Sequence, residues 1–154
     1  MKILVIADTH GNVGNILTAL DREKPDVLIH LGDGLNDLAD VKFTGQIFAV
    51  RGNNDTNGKI RTIAKVEYAK KVMLLTHGNE FDVKKNYEKL IQFSYNQGAD
   101  IVLFGHTHKQ DYFTRNGMIF VNPGALKDRE TGTYATIEFG EGEPKITHHR
   151  IQQI

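Results

Sequence analysis

The 154-residue sequence contains no cysteine. Disulfides, thiolate metal sites and cysteine nucleophiles are therefore excluded. A chain without cysteine suits a reducing compartment, so a cytoplasmic location is the expectation. Net charge is also missing, because 19 Lys and Arg offset 19 Asp and Glu. No global basic field is present to hold nucleic acid, which makes a nucleic-acid partner the weaker expectation; a local patch is still compatible with the total. No apolar stretch approaches the roughly 18 residues of a membrane span, so no membrane partner is expected. The opening MKILVIADTHG has one lysine and reaches Asp8 after a short apolar run, which is too polar for a secretory signal. Internal repeats and low-complexity segments are absent as well.

What is present is an ordinary globular mix, 40% hydrophobic and 25% charged. It is enough for one domain spanning 1–154 with a sizeable core. KILVIA (2–7), DVLIHLG (26–32) and QIFAVRG (46–52) read as short strands buried on both faces. NVGNILTALDREK lies between the first two, with helical spacing, Asn12 as N-cap and Pro25 as stop. LNDLADV suggests a short helix before the third strand. This alternation implies a parallel sheet with crossover helices.

Residues 62–78 read as a hairpin, 83–98 as an amphipathic helix closed by Gly98, and ADIVLFGHTH as another buried strand. Asn116-Gly117 marks a type I′ hairpin, and a second hairpin turns at GEGEP. Parallel units followed by hairpins predict a four-layer α/β/β/α sandwich, two mixed sheets flanked by helices.

Each predicted strand of the first kind ends in a metal-competent side chain. The runs exit into Asp8-Thr9-His10, Gly32-Asp33, Gly52-Asn53-Asn54-Asp55, His77-Gly78 and Gly105-His106-Thr107-His108. Ligands bind beyond the carboxyl ends of strands in open α/β sheets. Any one of these residues alone is most simply a turn, a cap or a structural histidine. Five such endings, each with a glycine nearby, are hard to ascribe to chance. Oxygen and imidazole donors without thiolate suit Mn²⁺, Zn²⁺, Fe or Ni²⁺. Two Asp, an Asn and four His exceed the needs of one tetrahedral ion and suit two ions sharing a carboxylate, as in phosphate-ester hydrolases.

These motifs, in this order, resemble those of the calcineurin-like metallophosphoesterases, in particular their small single-domain phosphodiesterase branch. The resemblance runs over residues 3–126, including NPGAL at 122–126. It implies the α/β/β/α fold and two divalent ions, with Mn²⁺ the first choice and Ni²⁺, Zn²⁺, Fe or Co²⁺ as alternatives. It implies that Asp8, His10 and His108 hold one ion, that Asn53, His77 and His106 hold the other, and that Asp33 bridges them. A hydroxide between the ions would attack the phosphorus of a small phosphate ester. Asn54 and Asp55 are the candidate catalytic residues. Asn54 stands where many members carry a histidine that protonates the leaving oxygen, and an asparagine cannot supply that proton; it can still donate a hydrogen bond to a phosphoryl oxygen. Asp55 closes the motif and is expected to brace the loop.

Asn12, Arg51, Lys109 and Arg129 are weaker candidates for facing an anionic substrate, and Thr107 is expected to shape its loop. His148-His149 and the helical Tyr87, Phe93 and Tyr95 read as structural. The loops after Gly34 and Gly78 are short, which predicts an open site. Small relatives form dimers or higher assemblies, so a homo-oligomer is also an expectation. The competing function is a non-catalytic scaffold of the same fold, as in a eukaryotic retromer subunit whose metal site is degraded.

Overall fold

In the computed structural model, residues 1–152 are described. The elements run β1 (Lys2–Ile6), α1 (Val13–Glu23), β2 (Val27–His30), β3 (Gln46–Ala49), β4 (Ile63–Tyr68) and β5 (Lys71–Thr76). They continue with α2 (Glu88–Asn96), β6 (Ile101–Leu103), β7 (Gln110–Arg115), β8 (Met118–Pro123), β9 (Thr133–Glu138) and β10 (Lys145–Arg150). The two ends of the chain build one sheet, ordered β10-β9-β1-β2-β3, and the middle builds the other, ordered β4-β5-β6-β8-β7. β1, β2 and β3 are mutually parallel, as are β5, β6 and β8; the remaining strands pair antiparallel. Both sheets are mixed, as the sequence predicts.

Strand alternation explains the layers. Ile3, Val5, Val27, Ile29, Met73, Leu75, Ile101 and Leu103 share the core between the two sheets. The intervening Leu4, Ile6 and Leu28 face outward and bury Ile16 and Ala19 of α1. On the far side, Leu74, Val102 and Phe120 bury Leu90 and Ile91 of α2. Every central strand is thus apolar on both faces, which is why these segments read as continuous hydrophobic runs. No helix among the described residues is long and apolar enough to cross a membrane.

The short helix expected at LNDLADV is a 3-10 helix, Leu35–Asp40. One reading needs correction. The helix expected over 83–98 begins only at Glu88. Asp82 sits at φ 52, Lys85 and Asn86 donate to the Asp82 carbonyl, and the Asn86 side chain accepts from Glu88 N at 3.1 Å. That asparagine competes with the helix for backbone donors and defers its start. At the other end Gly98 takes φ 71 and donates to the Tyr95 carbonyl, closing α2 where expected.

Candidate metal centre

All five motif loops leave the carboxyl ends of parallel strands: β1, β2 and β3 in one sheet, β5 and β6 in the other. Within the first sheet the loops are laced by backbone bonds, with Asp8 N donating to Gly32 O at 2.9 Å and Thr9 N to Asp33 O at 3.0 Å. In the second sheet Gly105 N donates to His77 O at 2.9 Å. Side chains then join the sheets. His77 Nδ1 donates to Leu31 O at 2.9 Å, and His106 N donates to Asp8 Oδ2 at 3.2 Å.

Two groups of ligand atoms result. Asp8, His10 and His108 form one and Asp33, His77 and His106 the other, with the atoms of each group within 4.8 Å of one another. The groups adjoin at His77, whose Nε2 lies 3.3 Å from Asp33 Oδ2 and 3.6 Å from Asp8 Oδ1. Six of the seven expected ligands are therefore together. The seventh, Asn53, stands exposed on the loop after β3.

The donor set fits a cation. Asp8 Oδ1 is buried and has no hydrogen-bond partner. Around it are His108, His77 and His10 Nε2, at 3.4, 3.6 and 3.8 Å. The His77 tautomer is set by its bond to Leu31 O, so Nε2 presents a lone pair in the neutral ring. A carboxylate oxygen facing lone pairs in a buried place is costly unless a proton or a metal ion lies between them. His106 Nδ1, 3.2 Å from His77 Nε2, repeats the arrangement.

Charge responds accordingly. Burial lifts the Asp8 carboxyl above the usual range, against the pull of His77 and His108. Burial also works on Asp33, but His77 in its protonated form and the two hydrogen bonds from Asn54 overcome it and hold that carboxyl well below the usual range. His77 resists its own burial through Asp33 and Asp8 and is raised. Burial, with His77 beside it, takes His106 down to about 4, so it is neutral and ligand-competent at neutral pH.

The backbone is strained where the candidate ligands are. Asp8, His10, Asp33, His106 and His108 occupy φ 53, 41, 62, 71 and 63. Left-handed non-glycine residues cost about 1–3 kcal/mol each and persist only where surroundings impose them. Here each residue turns its side chain back toward one point as its strand ends. Gly52 is required for a different reason: a Cβ there would collide with the Asp33 carboxylate and backbone N.

Asn54 and Asp55 have defined partners. Asn54 donates twice to Asp33, from N to Oδ1 and from Nδ2 to Oδ2, both at 2.8 Å. Its side-chain amide is thus directed at a candidate ligand carboxylate. Asp55 accepts four backbone N–H groups: Asp33 at 2.7, Gly52 at 2.8, Gly34 at 2.9 and Leu35 at 3.0 Å. Against the effect of burial, these amides lower its pKa. It clamps the β2 loop to the β3 loop and does not touch the ligand atoms.

Sequence reasoning passed over a buried relay beneath the loops. Gly32 N donates to His30 Nδ1 at 3.0 Å, which leaves His30 Nε2–H for Thr9 Oγ1 at 3.1 Å. Thr9 Oγ1 donates in turn to Asp37 Oδ2 at 2.6 Å. Buried Asn122 was missed too; it donates to Gly105 O at 3.3 Å and Thr107 Oγ1 at 3.0 Å and fixes the β6 loop. The available signal was one polar letter inside an apolar strand, His30 in VLIHL and Asn122 in IFVNP. Of the weaker candidates, Asn12 caps α1 through Asn15 N at 3.0 Å, and Arg51 Nε donates to Ile60 O at 3.2 Å. His148 and His149 bond to Asn122 O and Thr136 Oγ1, away from the ligand groups.

Residues 1–142 match the model of the calcineurin-like phosphoesterase superfamily domain. A probable metallophosphoesterase of Mycoplasma pneumoniae is 32% identical, with 96% of each chain covered. A phosphodiesterase of Methanocaldococcus jannaschii is 26% identical over 86% of this chain and 88% of its own. A Streptococcus pneumoniae protein described as a predicted phosphoesterase superposes with TM-score 0.80 at 26% identity, over 97% of this chain and 89% of that one. A Vps29 variant from Entamoeba histolytica also reaches TM-score 0.80, over 99% and 100% of the two chains, but at 18% identity it shows the fold alone. By its ordered motifs, its two ligand groups and these matches, the chain belongs to the calcineurin-like phosphoesterase superfamily.

Proposed function

We propose that the protein is a dinuclear metal-dependent phosphodiesterase acting on small phosphate esters. The observation that carries this reading is the pair of adjoining ligand groups, with the orphaned Asp8 Oδ1 between three imidazoles. Asp8, His10 and His108 would hold one divalent ion, His77 and His106 with the Asn53 carbonyl the other, and Asp33 would serve both. Such ions supply Lewis acidity and a water of lowered pKa. The name of the Methanocaldococcus relative supports the diester assignment. Oxygen and imidazole donors support Mn²⁺ as the first ion to test.

The chain's own groups have separable tasks. His77 is held by Leu31 O so that Nε2 faces the ions. Asn54 keeps Asp33 ionised and oriented. Asp55 fixes the loop that carries Asp33. His10 and His108 are exposed, so substrate enters on their side. Asn54 itself cannot supply a proton to the leaving oxygen, and general acid help is typically worth ~10²–10⁴-fold. Diesters with acidic leaving groups are therefore the preferred substrates.

Hydrolysis of bis-p-nitrophenyl phosphate with Mn²⁺, its abolition by chelator and its loss in Asp33→Ala are the expected results. Inactivity with Mn²⁺, Ni²⁺, Co²⁺ and Zn²⁺ alike would overturn the enzyme reading. The likeness to Vps29 keeps a scaffold of the same fold as the competitor; substoichiometric metal together with a stable protein partner would favour it.

A further inference from the structure

Three hollows join along the surface beside the metal centre. The first, about 420 Å³, begins at His108 and is walled by Gln110, Thr133 and Arg150. The second, about 580 Å³, shares Glu130 and Gln152 with the first and adds Arg22 and Arg129. The third, about 380 Å³, shares Arg22 and Arg129 with the second. Each is within the ~300–1,000 Å³ usual for small-molecule sites. Together they form a trough that leads away from a metal ligand.

Three guanidinium groups and one carboxylate line that trough. All three arginines are exposed. Among the described residues none of them is in an ion pair, whereas Arg115 pairs with Glu88 at 3.6 Å. The walls are fixed: Gln110 Nε2 donates to Tyr134 O and His149 O at 3.2 Å, and Thr133 Oγ1 donates to Pro123 O at 2.9 Å. Arg22 Nη1 donates to the Arg150 carbonyl at 3.3 Å, which draws the first two hollows together.

We propose that this trough is a subsite for a second phosphate of the substrate, remote from the phosphate that is cleaved. The proposal rests on the phosphodiesterase reading of the metal centre and adds a substrate class, phosphodiesters that carry a distal phosphate. Guanidinium forks match phosphate oxygens two at a time. The exposed guanidinium groups of Arg129 and Arg150, with Arg22 beside them, provide donors for such a group, and Glu130 offsets only one of three positive charges. A plain diester leaves the trough unused.

Two p-nitrophenyl esters test the idea, that of thymidine 5′-phosphate and its counterpart with an added 3′-phosphate. They release the same leaving group. The bisphosphate ester is expected to have a kcat/KM about tenfold higher, carried by KM, the effect of one charge-assisted hydrogen bond. Arg150→Ala and Arg129→Ala should each reduce that ratio severalfold. In parallel, calorimetry in the presence of chelator compares thymidine 3′,5′-bisphosphate with thymidine 5′-phosphate; tighter binding of the bisphosphate, weakened in both variants, is expected. Equal binding within twofold, or a preference unchanged in both variants, overturns the subsite. If neither ester turns over, the phosphodiesterase reading fails, while the calorimetry still decides the arginine trough.

Discussion

At the residue scale, Asp33 is held on both oxygens by Asn54. Removing the side chain in Asn54→Ala takes away the hydrogen bond to Asp33 Oδ2. We expect about a tenfold loss in metal affinity, the worth of one bond to a charged group, read by Mn²⁺ titration. An unchanged affinity would mean the contact is incidental. Asn54→His places a proton donor where an amide stands. The gap between rates on p-nitrophenyl and simple alkyl diesters should then narrow by up to ~10²-fold; a constant gap would show that leaving-group protonation is not what this position controls. Six candidate ligands were legible in the sequence because each is among the first three polar residues after an apolar strand. His30, Thr9 and Asp37 were not, because their bonds join residues 21 and 28 positions apart and depend on register.

At the scale of elements, β2 carries a titratable group that ties loops together. His30 is fully buried, and burial takes its pKa down to about 4 despite the nearby carboxylates of Asp55 and Asp37. In the unfolded chain a histidine titrates near 6.5, so as pH falls from 6.5 toward 4 the unfolded state takes up the proton first. Stability therefore rises with pH across this window, and this residue alone accounts for about 3 kcal/mol between its ends. Urea unfolding of the metal-free protein should show that slope, and His30→Gln should flatten it; parallel profiles would refute the assignment. Asp55 works with the opposite bonding role but the same sign. Its four amide bonds are present above the ordinary carboxylate pKa and are lost in acid as it protonates. Elements were legible where period and flanking glycine agreed, as with Asn116-Gly117 at φ 54 and 79. The hairpin at 62–78 was recognised, yet its turn uses Ala69 and Lys70 at φ 51 and 63, which no turn rule selects. The late start of α2 was hidden because Val83 and Tyr87 keep helical spacing while packing from a non-helical turn.

For the whole molecule, the two sheets matter because each contributes an incomplete ligand set. Asp8, His10 and Asp33 come from the sheet built by the chain ends, while His77, His106 and His108 come from the central one. The core between the sheets is thus what keeps the two ligand groups adjoining. A cavity in it, as in Leu103→Ala, should cost about 3 kcal/mol and lower the unfolding midpoint. Ligand binding to the native state alone stabilises it, so saturating Mn²⁺ should raise that midpoint and chelator should reverse the rise. The central claim, two ions on one chain, is tested most directly by equilibrium dialysis against Mn²⁺ with the bound metal counted per chain. The account predicts two ions for the native chain and a loss of tight binding in Asp33→Ala. Saturation at one ion, or Asp33→Ala retaining two, would contradict it.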